Sequence, residues 1–125
     1  MNHQARQVVV LGSTGSIGRN TLEVINASGG KLRACGLTAH HQLDRLLVQS
    51  QEYLPQWIVA SDAQTASQHD WDALPAGTEL LVGEDGIRQL VGEPSVDVVL
   101  SAIVGSAGLI GTWEALQAGK TVALA

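Results

Sequence analysis

Gln7-Val8-Val9-Val10-Leu11-Gly12-Ser13-Thr14-Gly15-Ser16-Ile17-Gly18 is the stretch on which the fold turns. Gln7 to Leu11 is a short run rich in β-branched residues that stops at Gly12, the pattern of a parallel strand covered on both faces. From Ser16 to about Ala27, Ile17, Leu22, Val24 and Ile25 recur roughly on one helical face, and Ser28-Gly29-Gly30 supplies the stop. Strand, glycine loop and helix in that order build an anion site. Glycine tolerates the positive φ of a tight turn, lets a pyrophosphate approach bare backbone, and leaves the N–H groups of the helix start pointing at its charge.

Working outward, the same alternation repeats. Arg33 to Thr38 reads as a strand, and Leu43, Leu46, Leu47 and Leu54 give the spacing of an amphipathic helix ending near Pro55. Trp57-Ile58-Val59-Ala60 is a four-residue strand, and Ser61-Asp62 offers a cap for a short helix through residues 63–68. Residues 70–78, with Pro75 and Gly77, read as a loop. Glu79 to Val82 is then a strand, Asp85 to Val91 a helix, Val96 to Ala102 a strong strand, Leu109 to Ala118 a helix and Lys120 to Leu124 a last strand. Six strands alternating with helices predict an α/β fold: a doubly wound, mainly parallel six-stranded sheet in right-handed βαβ units, with helices on both faces.

Composition agrees with that class. The 125 residues fit one domain, 1–125, and with 45% hydrophobic and 15% charged residues the chain falls among globular proteins. Lacking Phe, with one Tyr and three Trp, it must build its core from Val, Leu, Ile and Ala. A net charge of −5 with seven scattered Lys and Arg leaves no basic face, so nucleic acid is not an expected partner. No apolar run approaches the ~20 residues of a membrane span, and residues 1–7 do not read as a leader, so the expected location is cytoplasmic. The single cysteine, Cys35, sits among small and apolar residues and reads as a buried thiol.

The loop is spaced Gly-x-x-Gly-x-x-Gly, with Thr14 where the simplest dinucleotide fingerprint has its second glycine. Ser13, Thr14 and Ser16 add hydroxyl donors, and Ile17 can cover an apolar part of a ligand or pack on the sheet. NAD-binding domains usually end the second strand with a carboxylate for the ribose 2′-OH. Here Thr38-Ala39-His40-His41-Gln42 stands in that place, so no carboxylate is expected to repel a 2′-phosphate, and His40, His41 and Gln42 can donate to one. NADPH is therefore favoured over NADH; the alternative is a polar loop without ligand contact. No metal site is expected at the two histidines, because adjacent imidazoles rarely aim at one ion and no Cys, Asp or Glu stands at ligand spacing in the sequence.

A second glycine cluster, Ala102-Ile103-Val104-Gly105-Ser106-Ala107-Gly108-Leu109-Ile110-Gly111, follows the fifth strand and can face the nicotinamide half of a dinucleotide, or simply allow close packing of helix on strand. Gly119-Lys120-Thr121 looks like the end of a P-loop, but Glu114 stands where its first glycine is required and the triplet precedes a strand.

Together these stretches resemble the N-terminal, Rossmann-type domain of the 1-deoxy-D-xylulose 5-phosphate reductoisomerases of non-mevalonate isoprenoid synthesis. The likeness rests on Leu11 to Gly18, on Ala102-Ile103-Val104-Gly105-Ser106-Ala107-Gly108-Leu109 and on Ala118-Gly119-Lys120-Thr121, in family order and spacing. It implies that Thr14, Gly15, Ser16 and Ile17, within the loop Gly12 to Gly18, bind the NADPH pyrophosphate. It also implies that Ala102, Ile103, Val104 and Gly105 line the approach to the nicotinamide. Many members carry Gly-Lys-Asn or Gly-Ser-Asn where this chain has His40-His41-Gln42.

By the same resemblance, the full-length enzyme is a homodimer that isomerises a sugar phosphate, 1-deoxy-D-xylulose 5-phosphate, on Mg²⁺ or Mn²⁺ and reduces the aldehyde to 2-C-methyl-D-erythritol 4-phosphate. Its catalytic residues, metal ligands and substrate site are expected beyond Ala125, in domains absent from these 125 residues, which alone are expected to be inactive. Two other readings compete: a free-standing nucleotide-binding or redox-sensing module, and the cofactor domain of another NADPH-dependent dehydrogenase, such as a semialdehyde type with a later catalytic cysteine.

Overall fold

A computed structural model describes residues 4–103 and 108–125. Val104 and Gly105, expected at the nicotinamide end of the site, lie outside the described residues. The described elements alternate as the sequence implies: β1 (Arg6–Leu11), α1 (Ser16–Asn26), β2 (Leu32–Ala39), α2 (Leu43–Tyr53), β3 (Trp57–Ala60), α3 (Ala63–Ser67), β4 (Glu79–Val82), α4 (Gly83–Gly92), β5 (Val98–Ser101), α5 (Leu109–Gln117) and β6 (Thr121–Leu124). The sheet runs β4-β3-β2-β1-β5-β6 and every described pairing is parallel. The chain thus starts near the middle, winds out to β4 at one edge, and returns to the far side of β1 for β5 and β6.

Period-two alternation in β1 sends its residues into two separate cores. Val8 and Val10 pack with Leu22 and Ile25 of α1 and Leu43 and Leu46 of α2. Val9 and Leu11 pack with Ile87 and Leu90 of α4 and Ala115 of α5. Parallel strands need both faces covered, and this division supplies the covering. The β1–β2 register steps from Val8↔Ala34 to Val9↔Gly36, leaving Cys35 as the extra residue of a bulge. The bulge turns Cys35 into the α4–α5 core, where it is buried as expected.

Two elements depart from their sequence readings. Leu54 is not on the buried face of α2: it caps the helix in the left-handed region, φ 49°, and is exposed, because the residue before Pro55 is pushed out of the helical region. The buried stripe continues instead through Gln49 and Ser50. β5 is shorter than the apolar run 96–102; Val96 is buried ahead of it, and Asp97 makes paired contacts with Gln7. Among the described residues no helix is long and apolar enough to cross a membrane.

Candidate functional site

β1 and β5 are neighbours in the sheet, yet the helices that follow them pack on opposite faces, and a crevice opens beyond their ends where the winding reverses. The glycine loop forms its floor. Gly12 has φ +79°, and a Cβ there would lie 2.7 Å from Ile103 Cγ1, so glycine is required by both backbone and space. A side chain at Gly18 would collide with Gly12 O and lie 2.6 Å from Ser13 Cα, so this glycine lets α1 start tight against the loop. Its role is packing.

The loop is held from the next βα unit. Gly12 N donates to Thr38 Oγ1 at 2.9 Å and Ser13 N to Thr38 O at 2.9 Å. Ser13 is fully buried; its hydroxyl donates to Gln49 Oε1 at 2.8 Å, and Gln49 Nε2 donates back to Ser13 O at 2.9 Å. The Ser13 hydroxyl is therefore taken by the protein rather than offered to a ligand. Thr38 and Gln49 were not singled out in the sequence. A buried glutamine on an otherwise apolar helix face is the one signal that could have found Gln49, and only after the face was fixed.

The N–H groups of Ser16, Ile17 and Gly18 precede the first intrahelical donor of α1, Arg19 N, which reaches Gly15 O at 2.9 Å. No acidic residue stands in that first turn, so the partial positive charge of the helix end has no competitor.

Above the loop lies a cleft of about 740 Å³, lined by Gly12, Thr14, Gly15, His40, His41, Gln42, Ala102 and Ile103 among the sequence-derived residues. Three glycine-loop positions, two strand ends and the start of the second glycine cluster thus share one space. Ser16 and Ile17 lie at its margin on the first turn of α1, exposed. Thr38, Ala39, Ser61, Glu84, Ile87 and Ile110 complete the wall; of these only Ile110 lay in a stretch, the second glycine cluster, expected to face the ligand. Ala125, beyond which the catalytic residues are expected, is exposed just after β6. Its N–H donates to Ser101 O at 3.1 Å, continuing the β5–β6 ladder, and it lines no part of the cleft.

Asp62 corrects the expectation that no carboxylate accompanies the histidines. β2 and β3 pair in register, Ala39 opposite Ala60, so the residues after each strand emerge side by side. His41 Nε2 lies 3.3 Å from Asp62 Oδ2, and the His40 and His41 ring centroids are 4.3 Å apart. The Thr65 hydroxyl donates to Asp62, and that bond, with the two nearby imidazoles, holds the Asp62 carboxyl below the usual carboxylate range. The premise used against a metal, no acidic residue at ligand spacing, fails because spacing along the chain is blind to neighbouring strand ends. A second His–carboxylate pair, His69 with Asp44 at 3.5 Å, lies on an adjoining groove over α2.

Cys35 takes no part. Burial pushes its thiol up to about 11, which removes the thiolate that nucleophilic chemistry needs.

Known proteins similar to this chain fall in one group. Residues 8–125 match the family model described as 1-deoxy-D-xylulose 5-phosphate reductoisomerase. The reductoisomerase of Glaesserella parasuis serovar 5 is 38% identical over 122 residues, covering 96% of this chain and 31% of that protein. That of Desulfosudis oleivorans is 46% identical over 122 residues, covering 96% and 32%. Among solved structures, the Zymomonas mobilis enzyme in complex with NADPH superposes with a TM-score of 0.87 at 33% identity, over 98% of this chain and 32% of that one. A reductoisomerase complex with NADPH, fosmidomycin and magnesium gives 0.82 at 35% identity, over 94% and 29%. The chain spans about a third of the length of the relatives it matches.

Proposed function

The chain belongs to the 1-deoxy-D-xylulose 5-phosphate reductoisomerase family, and from that premise we propose that residues 1–125 are the NADPH-binding domain of such an enzyme. The observation that carries this reading is the shared cleft: a helix N-terminus with a bare glycine cradle, His40-His41-Gln42 at one end, Ala102-Ile103 at the other. A dinucleotide has the same order of parts, with its pyrophosphate in the middle, a 2′-phosphoribose at one end and a nicotinamide at the other.

In this reading the free N–H groups of Ser16, Ile17 and Gly18 at the start of α1, with the bare backbone of Gly15 and the Thr14 hydroxyl, hold the pyrophosphate. His40, His41 and Gln42 hold the 2′-phosphate. Ala102, Ile103, Val104 and Gly105 guide the nicotinamide, and Gly12, Ser13 and Gly18 shape the loop. NADPH supplies hydride, and these residues bind it and fix its reach. The described cleft does not fit Mg²⁺, which asks for an oxygen-only octahedral set, so a metal-dependent isomerisation belongs to other parts of the full-length enzyme, beyond Ala125. The whole protein, a cytoplasmic homodimer in this reading, converts 1-deoxy-D-xylulose 5-phosphate to 2-C-methyl-D-erythritol 4-phosphate; these 125 residues alone do not turn over.

Paired calorimetric titrations with NADPH and NADH at one pH and salt test the proposal. NADPH should bind about tenfold tighter or more, a difference of about 1.4 kcal/mol, and His40→Ala with His41→Ala should abolish that preference while leaving NADH binding in place. Equal affinities in the unaltered chain would remove the 2′-phosphate assignment.

A further inference from the structure

The geometry points to a divalent transition-metal site made by His40, His41 and Asp62, at the paired ends of β2 and β3. One ligand atom from each residue lies within 4.8 Å of the other two, although the residues come from two strands that meet only in the folded sheet.

Two independent features support metal binding over a chance meeting of polar groups. The first is the hydrogen bond that His40 makes through Nδ1. Its Nδ1 lies 2.8 Å from Ser61 Oγ, and the Ser61 hydroxyl is directed at Ala39 O, 3.3 Å away. A hydroxyl has one proton, so with that proton on the Ala39 side, His40 Nδ1–H is the donor and its Nε2 carries the lone pair. A ring fixed through one N–H with the other nitrogen bare is the usual state of a metal-bound histidine.

The second feature is spacing. His41 Nε2 and Asp62 Oδ2 are 3.3 Å apart. Ligands on a tetrahedral ion with bonds of about 2.0–2.1 Å are separated by about 3.3–3.4 Å. The Thr65 hydroxyl donates to the same Asp62 Oδ2, which holds the carboxylate in place and leaves that oxygen's second lone pair facing His41. A ring nitrogen of His40 lies within 4.8 Å of the other two ligand atoms, and the Ser61 contact keeps the ring beside them.

Two imidazoles and one carboxylate select Zn²⁺, Co²⁺ or Ni²⁺ over Mg²⁺ or Ca²⁺. Three protein ligands leave one coordination position to solvent. The consequence for the cofactor rests on the reading given under Proposed function: the ion takes the imidazole nitrogens that, once protonated, would donate to the 2′-phosphate. Zn²⁺ and NADPH then compete, whereas NADH, which lacks that phosphate, is spared.

Titration of the 125-residue chain with ZnCl₂ alone, in a buffer that does not chelate, should give one bound ion per chain. His41→Ala and Asp62→Asn should each weaken binding more than tenfold, with unchanged circular dichroism melts, while His69→Ala, on the neighbouring His–Asp pair, should leave it unaltered. Co²⁺ in place of Zn²⁺ should show the visible absorption of a four-coordinate site, lost in Asp62→Asn. No stoichiometric Zn²⁺ binding, or binding indifferent to His41 and Asp62, overturns the site whatever NADPH does. With Zn²⁺ bound, NADPH affinity should fall at least tenfold and NADH affinity should hold. Unchanged NADPH affinity at saturating Zn²⁺ overturns the overlap, and failure of NADPH to bind without Zn²⁺ overturns the cofactor reading while leaving the metal result to stand by itself.

Discussion

Gln49 links two parts of the molecule that the sequence keeps 36 residues apart, closing both polar groups of Ser13 inside the protein. Gln49→Met keeps the volume and removes both bonds, leaving the buried Ser13 carbonyl unpartnered and its hydroxyl with only the longer contact to Thr38 O at 3.3 Å, at a cost of about 1–3 kcal/mol. The lower midpoint should appear in urea unfolding, and NADPH and NADH should weaken together, because the loop they share has moved. Adenosine 2′,5′-bisphosphate, which relies more on the β2 end, should lose less. Cys35 gives a pH-dependent counterpart. Its folded value of about 11 lies above the ordinary 9.0, so the folded state keeps a proton that the unfolded chain releases. Stability from this group is present in full below pH 9.0 and is lost as the pH rises toward about 11, on the order of 2–3 kcal/mol across that window. Urea midpoints from pH 8 to 11 would measure it, and Cys35→Ala should flatten that part of the curve.

At the scale of elements, most of the architecture was legible. The short runs at 8–11, 57–60 and 79–82 read as strands and fold as strands, and the glycine loop fixed where α1 begins. The end of α2 was not legible, since a leucine at the right interval looks like core whether or not the helix reaches it. Leu54 bears the cost of a left-handed conformation, about 1 kcal/mol for a residue with a Cβ. Leu54→Gly should raise the thermal midpoint through that relief, less the added freedom of the unfolded chain, whereas Leu54→Val should lower it. The Gly119-Lys120-Thr121 triplet, which looks like a phosphate motif, has a structural explanation. Lys120 Nζ donates to Glu93 O at 2.7 Å and Val96 O at 2.8 Å, tying the turn before β6 to the connection between α4 and β5.

For the molecule as a whole, the sequence located the glycine loop and the strand end beside it, since each is a local pattern. It did not find Asp62, Ser61, Thr38 or Gln49, because their partners become neighbours only through sheet pairing and helix packing. The wall of the cleft is a property of strand order, and order is set by long-range contacts that no window along the chain contains. β1 is hydrogen-bonded on one side to β2 and on the other to β5, and the contact between Gln7 and Asp97 spans 90 residues. Closing a loop of that length costs more chain entropy than docking the nearer units, so β5 is expected to join after them. A chain leaving the ribosome can therefore assemble its first three strands and both flanking helices while half of the crevice is still missing. In stopped-flow refolding, the fluorescence of bound NADPH should recover only with the slowest phase, after the helical signal is in place. The dinucleotide would then act as an inspector of finished molecules, holding those whose last strands have arrived and passing over the rest.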